Sequence, residues 1–341
     1  MNIAHVVVTD AYAGAEAHAA RLARAQAASG HHVVLVGGAA AAMRDAAGAH
    51  VTTLPGRTVR EALGSLRRLV RPPDVVHAHL TAAETAATAY GPVLTGRVPL
   101  VVTRHIALPR GQSTLGGVAA RVIRRRVAAQ IAISSYVAAS VDGASVVVHP
   151  GVDPEPDAPT SDARRRIVLV AQRLEAEKAT DTALRTFAAS RLADDGWKLH
   201  VAGEGALRDT LERLAADLGI DGATSFLGRR TDVPDLQRSA SVLLAPCPVE
   251  GFGLSVLEAM SRGLPVVAAR AGGHLDLLDG LGPDALVEPG DADDAARALR
   301  ALALDPAARD AYGRAAQERQ RTAFTLDAQV RGTEAVYRGV L

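Results

Sequence analysis

Cysteine, membrane-length apolar runs and an excess of charge are what this sequence lacks, and each absence excludes a class of protein. Cys247 is the only cysteine among 341 residues, which rules out an intrachain disulfide and a cysteine-rich zinc site. No uninterrupted apolar run approaches the length needed to span a membrane. The formal net charge of +1 gives no case for binding nucleic acid or an acidic partner. The first residues lack the basic and long apolar regions of a signal peptide, so we expect a cytoplasmic protein, or one peripheral on the inner face of the membrane.

Lysine is nearly absent as well. Lys178 and Lys198 are the only lysines among 38 basic residues. A lysine that persists in an arginine-rich chain is expected to serve its own chemistry, because its ammonium is a compact charge on a flexible stem. Lys178 follows Arg173 in a turn between a strand and a helix, and two cations there suit a diphosphate. A surface pair with Glu175 and Glu177 is the alternative, and the rarity of lysine favours the diphosphate.

What the sequence does have is a repeated alternation of β-branched apolar runs with helical patterns. Its length and its 48% hydrophobic and 22% charged residues predict two globular domains. Residues 150–159 include four prolines and are interpreted as a linker, after which the pattern restarts. We predict an α/β protein with two Rossmann-like, doubly wound parallel-sheet domains over residues 1–155 and 156–325, followed by a helix over 326–341. The domains are expected to face each other across a cleft, with a ligand at the carboxyl ends of the strands.

Local patterns in each half predict individual elements and turns. We expect a helix over Arg57–Val70, ended by the prolines that follow, and a strand over Ala129–Ser134. Gly14 precedes a helix whose N-terminus could hold an anion, and an ordinary tight turn is the alternative. The glycine fingerprint of dinucleotide-binding proteins is absent, which disfavours a dehydrogenase. Gly203-Glu-Gly205 is another turn at a strand end that allows a ligand to approach the backbone.

Several polar residues raise the question of a metal or catalytic site. His77 and His79 lie two residues apart at a strand end, without cysteine or carboxylate at ligand spacing nearby, which is weak evidence for a metal. We therefore predict no metal site and favour structural roles, although His79 could line the cleft. Arg104-His105 lies just past another strand, where α/β sites collect functional residues, and a partly exposed loop pair is the alternative. Asp291-Ala-Asp293 could bind a metal diphosphate, but we interpret it as a helix cap.

The stretch that begins at Glu250 predicts a glycine turn, a helix and a strand. Gly251 and Gly253 allow backbone amides to approach a ligand, and the N-terminus of the following helix favours an anion. Glu250 lies before this helix and Glu258 lies about one turn into it, so both carboxylates can face one cleft and bind hydroxyls. A phosphorylated sugar is the expected ligand.

A basic segment could contact a membrane. An amphipathic helix with a basic face can lie on an anionic membrane surface. The apolar side of this helix is small and lacks aromatic residues, so an ordinary solvated face is the alternative. The residues concerned lie in Leu115–Val127, and they are Val118, Val122 and Ile123 on the apolar side and Arg121, Arg124, Arg125 and Arg126 on the basic side.

Taken together, these motifs resemble the retaining glycosyltransferases of family 4, also called glycosyl transferases group 1, over nearly the whole chain. The combination of paired glutamates with the preceding arginine and lysine is the specific part, whereas each motif alone is weak. The residues that carry the resemblance are Gly14-Ala-Glu16, Asp74-Val-Val-His-Ala-His79, Val101-Val-Thr-Arg-His105, His149-Pro-Gly-Val-Asp153, Arg173, Lys178, Gly203-Glu-Gly205, Glu250-Gly-Phe-Gly, Glu258 and Gly272-Gly273.

The resemblance implies a GT-B fold, with an N-terminal acceptor-side domain, a C-terminal donor-binding domain and a last helix that returns to the N-terminal domain. It implies a nucleotide diphosphate sugar as donor, with UDP favoured over GDP, and no cofactor or metal. The acceptor would be a hydroxyl of a saccharide, a lipid-linked sugar or a natural product. A nucleotide-sugar epimerase or hydrolase on the same fold, and a non-catalytic nucleotide-sugar-binding protein, are the alternatives.

The resemblance also implies roles for single residues. Arg173 and Lys178 would neutralise the leaving diphosphate, Glu250 would bind hydroxyls of the transferred sugar, and His105 would approach that sugar. Glu258 would bind the ribose. The complete set of expected donor-binding residues is Gly14, Gly203, Gly205, Arg229, Phe252, Gly253, Leu254 and Glu258.

The chain departs from the family pattern in the donor half. Ala171-Gln172-Arg173 stands where the family often has Gly-Arg-Leu, and Ala179 stands where a glycine usually follows the lysine. Asp276 stands where a glutamate is usual. These departures concern the fine geometry of donor binding more than the function.

Overall fold

The computed structural model of this protein describes residues 1–110, 114–282 and 285–341. Contacts between residues divide the chain into two compact units. Unit 1 comprises Met1–Gly151 and Leu326–Leu341, and unit 2 comprises Val152–Thr325. This division lies a few residues before the predicted boundary between residues 155 and 156.

Unit 1 is built on a seven-stranded parallel sheet. Its strands are β1 (Asn2–Val7), β2 (His32–Gly37), β3 (Val51–Leu54), β4 (Val75–His79), β5 (Leu100–Arg104), β6 (Val127–Ala132) and β7 (Val146–Val147). The strands lie in the order β3-β2-β1-β4-β5-β6-β7. The central strands β1, β4 and β5 are buried along nearly their whole length, as expected for a parallel sheet with both faces covered.

Helices connect these strands and cover the sheet. They are α1 (Gly14–Ala28), α2 (Ala40–Ala47), α3 (Val59–Arg67), α4 (Thr81–Thr88), α5 (Gly91–Leu94), α6 (Thr114–Arg126) and α7 (Ser135–Ser140). One core cluster joins the small side chains Ala19, Ala20 and Ala23 of α1 to the larger Ile3 and Leu35 of the sheet. The alanines allow α1 to pack closely against the strands.

Unit 2 is built on a six-stranded parallel sheet. Its strands are β8 (Ile167–Ala171), β9 (Lys198–Ala202), β10 (Thr224–Gly228), β11 (Val242–Ala245), β12 (Val266–Ala269) and β13 (Leu286–Val287). They lie in the order β10-β9-β8-β11-β12-β13. The helices of this unit are α8 (Thr180–Ser190), α9 (Arg208–Asp217), α10 (Val233–Ser239), α11 (Leu254–Ser261), α12 (His274–Leu278), α13 (Ala292–Leu304) and α14 (Pro306–Ala323). Short 3-10 turns form at Ser161–Ala163, Ala176–Lys178 and Asp221–Ala223.

The last helix, α15 (Leu326–Arg338), belongs to unit 1 and packs against α1. Tyr337 on this helix is completely buried within unit 1. The chain therefore returns to its N-terminal unit after completing the second one. The predicted fold class, with two parallel-sheet Rossmann-like units and a returning helix, is confirmed.

Capping side chains explain where the sequence-based element boundaries were wrong. The helix predicted over Arg57–Val70 is shorter, because Thr58 accepts a hydrogen bond from the backbone N–H of Glu61 and starts α3 at Val59. The strand predicted at Ala129–Ser134 is observed two residues earlier, as β6, because Ser134 caps α7 instead. The predicted cap at Asp291 is confirmed, since its Oδ1 accepts from the N–H groups of the second and third residues that follow.

The proline-rich segment interpreted as a linker is packed into unit 2. The side-chain amide of Gln317, on α14, donates to the carbonyl of Pro156 at 2.9 Å. Ser161 donates from its backbone N–H to Asp310 at 2.8 Å. Arg164 is buried and donates to backbone carbonyls, including that of Gln237 at 2.9 Å. The prolines therefore shape an ordered segment that lies along α14.

The basic segment forms α6, and its four arginines are exposed. Val122 is 48% exposed, whereas Ile123 is buried. Leu115 and Val118, which the amphipathic prediction also uses, lie outside the residues whose side chains the structure describes. Membrane contact through Arg121 and Arg124–Arg126 stays a prediction. Among the described helices, none combines the length and the apolar character that a membrane span requires.

Candidate functional site

The strand order of unit 2 creates a topological switch point. β8 lies between β9 and β11, so the chain continues to one side of β8 first and to the other side later. The loops after β8 and β11 therefore separate, and crevices between such loops are where α/β proteins bind ligands. Lys178 follows β8 and Glu250 follows β11.

These two residues meet at the switch point. The Nζ atom of Lys178 donates to Oε2 of Glu250 at 2.6 Å, and the side chains are 16% and 23% exposed. Burial alone would raise the pKa of Glu250, but the charge and the hydrogen bond of Lys178, with smaller contributions from His274 and the backbone of Gly251, together lower the pKa of this carboxyl. The structure thus brings together the predicted diphosphate cation and the predicted sugar-binding carboxylate as a charged pair.

His274 is a neighbour that the sequence analysis missed. It begins α12, is buried, and donates through Nδ1–H to the carbonyl oxygen of Ala269, 3.1 Å away. Burial lowers its pKa, and the charge of Glu250 acts in the opposite direction. The adjoining glycine pair at residues 272–273 was recognised in the sequence and could have drawn attention to the histidine that follows it.

The predicted cation Arg173 is not joined to this pair. Its side chain is 60% exposed, and its guanidinium donates to Glu177 at 2.7 Å. An exposed pair of this kind contributes little stability, so the side chain is not fixed in this position. Arg229 lies further away along the sheet edge, exposed, just after the edge strand β10.

The predicted glycine turns have a structural role that needs no ligand. A Cβ atom on Gly203 would lie 1.8 Å from the carbonyl oxygen of Gln172, so the loop after β9 can approach the loop after β8 only with glycine there. Gly205 lies in the same turn. Gly253 precedes α11 with a left-handed φ of 98°. These positions shape the switch point whether or not they contact a donor.

The helix that follows carries the other predicted donor residues. Phe252 is buried, at 1% exposed, and serves the core of unit 2. Leu254 is the first residue of α11, and Glu258 lies one turn further along the same helix. Both side chains are partly exposed. Their position allows ligand contact, and the predicted roles stay predictions.

Ala179 shows the cost of a departure from the family pattern. Its φ and ψ of 50° and 41° are left-handed, and it caps α8 directly after Lys178. This conformation costs an alanine roughly 1–2 kcal/mol, whereas glycine adopts it freely. The backbone at this position therefore has the shape that a glycine would give.

Unit 1 has its own switch point, between β1 and β4. Five histidines gather beside it. His5 on β1 pairs in register with His77 on β4, and His79 ends β4. His105 follows β5 and His18 comes from α1. The sequence analysis missed His5 and His18, although a histidine inside an otherwise apolar buried strand was a visible signal for His5.

Hydrogen bonds link these rings. His5 Nδ1 lies 3.0 Å from His79 Nε2, and His79 Nδ1 lies 3.1 Å from His105 Nε2. Burial lowers the pKa of His5 to about 4 and that of His105 to about 3, and it also lowers the pKa of His79. The cluster is therefore neutral at physiological pH. Two groups of three histidines offer ligand atoms within 4.8 Å of one another, a metal-like arrangement that the sequence did not predict.

Buried ion pairs hold the loop that carries His105. Arg104 donates to Asp142 at 3.1 Å, and Arg110 donates to the same carboxylate at 2.9 Å. Arg110 also pairs with Glu84, whose side chain is completely buried. These contacts fix both ends of the segment between residues 104 and 110, and they were not visible in the sequence because the partners come from three distant segments.

A pocket of about 190 Å³ opens beside His105. It is lined by apolar and polar residues of the loops after β4 and β5, namely Leu80, Thr81, Thr103, Arg104, Ile106, Leu108 and Pro109. Ile106 and Leu108 are 55% and 51% exposed, so part of the rim is apolar. Gly14 is the first residue of α1, where the carboxylate of Glu16 accepts from the N–H of Ala13 at 2.9 Å.

A larger cavity of about 450 Å³ lies elsewhere in unit 2, along α14 and the proline-rich segment. Its buried arginine, Arg164, is already bonded to backbone carbonyls, including that of Ala240 at 2.9 Å. Neither Lys178 nor Glu250 lines it. The predicted site residues therefore lie outside this cavity.

Solved structures with this fold are known. HepE of Anabaena, in complex with UDP, matches with a TM-score of 0.81 at 18% identity, over 99% of this chain and 100% of that one. Sucrose-phosphate synthase of Thermosynechococcus elongatus matches with a TM-score of 0.77 at 19% identity, over 99% of this chain and 98% of that one. At these identities the likeness shows the fold, and the protein belongs to the GT-B class.

Two family models match the chain and identify its family. The model for "Glycosyl transferases group 1" matches residues 152–319, and that for "Glycosyltransferase Family 4" matches residues 12–156. The chain belongs to the group 1 glycosyltransferases of family 4, and the resemblance drawn from its motifs is confirmed.

Curated relatives agree with this family. The D-inositol 3-phosphate glycosyltransferase of Saccharomonospora viridis is 35% identical over 219 residues, covering 56% of this chain and 51% of that protein. A GDP-mannose-dependent alpha-(1-6)-phosphatidylinositol dimannoside mannosyltransferase of Mycobacterium tuberculosis is 42% identical over 106 residues, covering 31% of this chain and 28% of that protein. The chain spans about half the length, or less, of these two relatives.

Proposed function

We propose that this protein is a retaining glycosyltransferase that moves a sugar from a nucleotide diphosphate sugar to an acceptor hydroxyl. The observation that carries the proposal is the Lys178–Glu250 pair at the switch point of unit 2, 2.6 Å between Nζ and Oε2. A cation and a carboxylate side by side suit a ligand that has a phosphate next to a sugar. The family of the chain supports the same reading.

The chemistry that this pair would perform follows from charge. Breaking the bond between the sugar carbon and the diphosphate oxygen leaves negative charge on the phosphate, and a preorganised cation stabilises it. Glu250 is the counter-ion that holds Lys178 in place. When the donor binds, the phosphate shares the ammonium, and the carboxylate is available to accept hydrogen bonds from sugar hydroxyls.

The proposal that the anomeric configuration is retained rests on the family of the chain and not on the geometry of the site. On that scheme the acceptor oxygen attacks from the side that the phosphate leaves, and a phosphate oxygen takes the acceptor proton. Arg173 would move from Glu177 to the phosphate, which its exposed position allows. Glu258 would bind the ribose. A product analysis by NMR tests retention, because an inverted anomeric configuration would contradict it.

We propose UDP as the donor nucleotide. Structures of HepE with UDP and with UDP and glucose support this choice, whereas mycobacterial relatives that use GDP-mannose support the other. A thermal-shift screen of UDP, GDP and their sugar conjugates decides between them, because a ligand that binds the folded state raises the melting temperature. A larger shift with GDP-mannose than with any UDP-sugar would overturn the UDP assignment.

The proposed transfer needs neither a cofactor nor a metal. We expect turnover to persist in EDTA, and loss of activity that Mg²⁺ or Mn²⁺ restores would contradict the proposal. Incubation of the donor alone separates the alternatives. A transferase leaves most of the donor intact without acceptor, whereas an epimerase or hydrolase consumes it, and a binding protein never transfers to any acceptor.

The acceptor is a hydroxyl of a saccharide, a lipid-linked sugar or a natural product. The exposed arginines of α6 favour a lipid-linked acceptor on an anionic membrane. Vesicle sedimentation tests this directly, with vesicles that contain or lack anionic lipid. We expect binding only to the anionic vesicles. Binding should be weaker when Arg124, Arg125 and Arg126 are replaced by glutamine. Equal sedimentation of the variant and the unaltered protein would contradict the proposed membrane contact.

A further inference from the structure

One side chain holds the turn that carries Lys178 at two points. It is that of Gln172, which directly follows β8 and is partly buried. Its amide nitrogen donates to the carbonyl oxygen of Lys178 at 2.9 Å and to the hydroxyl oxygen of Thr180 at 2.9 Å. An amide nitrogen has two hydrogens, so these two bonds use both of them. A backbone carbonyl only accepts, so the nitrogen and not the oxygen of this amide must face Lys178.

The residue between the two bonds has a strained backbone. Ala179 is left-handed, with φ and ψ of 50° and 41°, and it lies between Lys178 and Thr180. This conformation is unfavourable for alanine, and such strain persists where the surroundings determine the backbone from several sides. Gln172 bonds to the residue before Ala179 and to the residue after it. Both Gln172 and Ala179 depart from the family pattern, so the glutamine restrains a turn that this chain builds without glycine.

The backbone of Gln172 is itself fixed by the neighbouring strand. Its N–H donates to the carbonyl oxygen of Ala202 at 3.1 Å, which extends the ladder between β8 and β9. The loop after β9 packs directly against it, since a Cβ atom on Gly203 would lie 1.8 Å from the carbonyl oxygen of Gln172. The amide that holds the lysine turn therefore extends from a rigid part of the sheet.

A second contact holds the preceding peptide from the other side of the switch point. Cys247 lies two residues after β11 and is buried, and its Sγ atom lies 3.2 Å from the carbonyl oxygen of Glu177. Burial raises the pKa of this thiol, so it keeps its proton and donates. The carbonyls of residues 177 and 178 are thus held by side chains that follow β11 and β8, respectively. The side chain of Lys178 begins at a backbone position that is fixed twice.

We propose that Gln172 is a positioning residue for Lys178, whose ammonium group it directs into the switch point by fixing the turn. The ammonium lies 2.6 Å from Glu250, and the side chain of Lys178 is 16% exposed. Arg173 lies in the same loop but is 60% exposed, so a place in this loop does not by itself bring a cation to the switch point. Only the action of Lys178 on a diphosphate rests on the proposed function, because the positioning is a property of the protein alone.

The alternative is an ordinary structural role, in which Gln172 stabilises the start of α8 without affecting Lys178. Gln317 on α14 offers a matched control in the same unit. Its side-chain amide also donates two hydrogen bonds, to the carbonyls of Pro156 and Ser261 at 2.9 and 2.7 Å, and it lines the separate cavity along α14. Gln317→Met removes two donated bonds, as Gln172→Met does, so the pair separates lost stability from lost positioning.

The two lysines of the chain make this positioning directly observable. Protein labelled with ¹³C-lysine has one Cε signal from Lys178 and one from Lys198, which is exposed and serves as the internal reference. We expect Gln172→Met to move the Lys178 signal toward that of free lysine and to leave the Lys198 signal in place. Gln317→Met should move neither signal. An unmoved Lys178 signal in Gln172→Met, or equal movement in both variants, would overturn the proposal.

Two further variants test whether Gln172 acts through the turn. Thr180→Val removes only one of the two bonds, so the Lys178 signal should move in the same direction but by less. Ala179→Gly, combined with Gln172→Met, should return the signal toward its original position, because glycine adopts the left-handed conformation without a restraint. No return of the signal in the double variant would contradict the proposal.

Calorimetry of nucleotide binding measures the consequence for the proposed function. We expect Gln172→Met to weaken binding of UDP, or of GDP if that nucleotide binds more tightly, by roughly threefold to tenfold, the scale of one lost hydrogen bond. In a Lys178→Met background the same substitution should change the affinity by less than twofold, since the group that it positions is gone. Equal losses in both backgrounds would refute the positioning role. If neither nucleotide binds the unaltered protein, the proposed function fails, and the lysine spectra still decide whether Gln172 positions Lys178.

Discussion

The two units place polar residues at equivalent points of similar sheets, but these residues are charged in unit 2 and neutral in unit 1. At the switch point of unit 2, Lys178 and Glu250 are charged and partly exposed. Beside the switch point of unit 1, the histidines are neutral because burial lowers their pKa values. Charge suits a diphosphate, whereas neutral imidazole rings suit uncharged polar groups. The same strand topology therefore carries charged residues in one unit and neutral polar residues in the other.

The largest expected effect on this contrast comes from removing the charge of Lys178 in unit 2. We expect Lys178→Met to lower turnover by roughly 10²–10³-fold, the scale of one lost stabilising group in a transition state. The other lysine provides a matched control, because Lys198 is exposed and donates to the backbone carbonyl of Gly222. Lys198→Met should retain full activity. Near-normal kcat in Lys178→Met would refute the diphosphate assignment.

Substitutions of Glu250 and Glu258 should have different effects on turnover and on nucleotide binding. Glu250→Gln removes the counter-ion of Lys178 and a sugar ligand, so we expect a lower kcat, by roughly tenfold to a hundredfold. Glu258→Gln should mainly weaken binding of the nucleotide. Steady-state kinetics with calorimetry of nucleotide binding measures both effects. A loss of nucleotide affinity in Glu250→Gln larger than that in Glu258→Gln would reverse the assigned roles.

The neutral histidines should make unit 1 the acid-sensitive part. A histidine whose pKa is lowered in the folded state binds its proton more readily when unfolded, so acid favours unfolding. Between the ordinary value of 6.5 and about 4, where His5 titrates in the fold, each such histidine removes about 1.4 kcal/mol of unfolding free energy per pH unit. Above pH 6.5 this contribution is complete and constant.

Hydrogen exchange measured peptide by peptide checks this expectation. Amides of β1 and β4 should lose protection as the pH falls from 6.5 to 4, after correction for intrinsic exchange. Trp197, the only tryptophan, lies in unit 2 and reports that unit by fluorescence. As the pH falls, the amides of β1 and β4 should lose protection before the Trp197 fluorescence reports unfolding of unit 2. The reverse order would contradict the contrast between the units.

The smallest expected effect concerns the backbone next to Lys178. Ala179→Gly should raise the unfolding free energy by about 0.5–1 kcal/mol, because glycine relieves the left-handed strain although it costs unfolded-state entropy. Ala188→Gly, in the last turn of α8, is a control with ordinary helical backbone that should be destabilising by up to about 1 kcal/mol. Denaturant titration of both variants measures the difference. A stability decrease in Ala179→Gly would show that the strain is offset elsewhere.

Much of the fold could be predicted from the sequence, because β-branched apolar runs and glycine turns such as that at Gly203 are local signals. Family motifs also identified Lys178 and Glu250, and the structure brings them into contact. Their distance could not be predicted, since the two residues are 72 positions apart and meet only through the strand order.

The histidine network shows what local patterns cannot show. His5, His18 and His105 come from different elements and meet only because α1 and the strands of unit 1 pack together. Burial then lowers their pKa values, and burial depends on the whole fold. Sequence patterns identify residue types at element ends, whereas hydrogen-bond polarity depends on packing across the sheet. The same limit explains why the Arg110–Glu84 pair was missed.

The central claim is that Lys178 recognises the diphosphate of the donor, and it is tested most directly by comparing two ligands in two proteins. Calorimetry should measure binding of UDP and of uridine, or of GDP and guanosine if the guanine nucleotide binds more tightly, to Lys178→Met and to Lys198→Met. We predict that Lys178→Met weakens binding of the diphosphate by roughly tenfold or more and leaves the nucleoside unchanged, since a charged hydrogen bond is lost. Equal diphosphate affinity in the two variants would contradict the account.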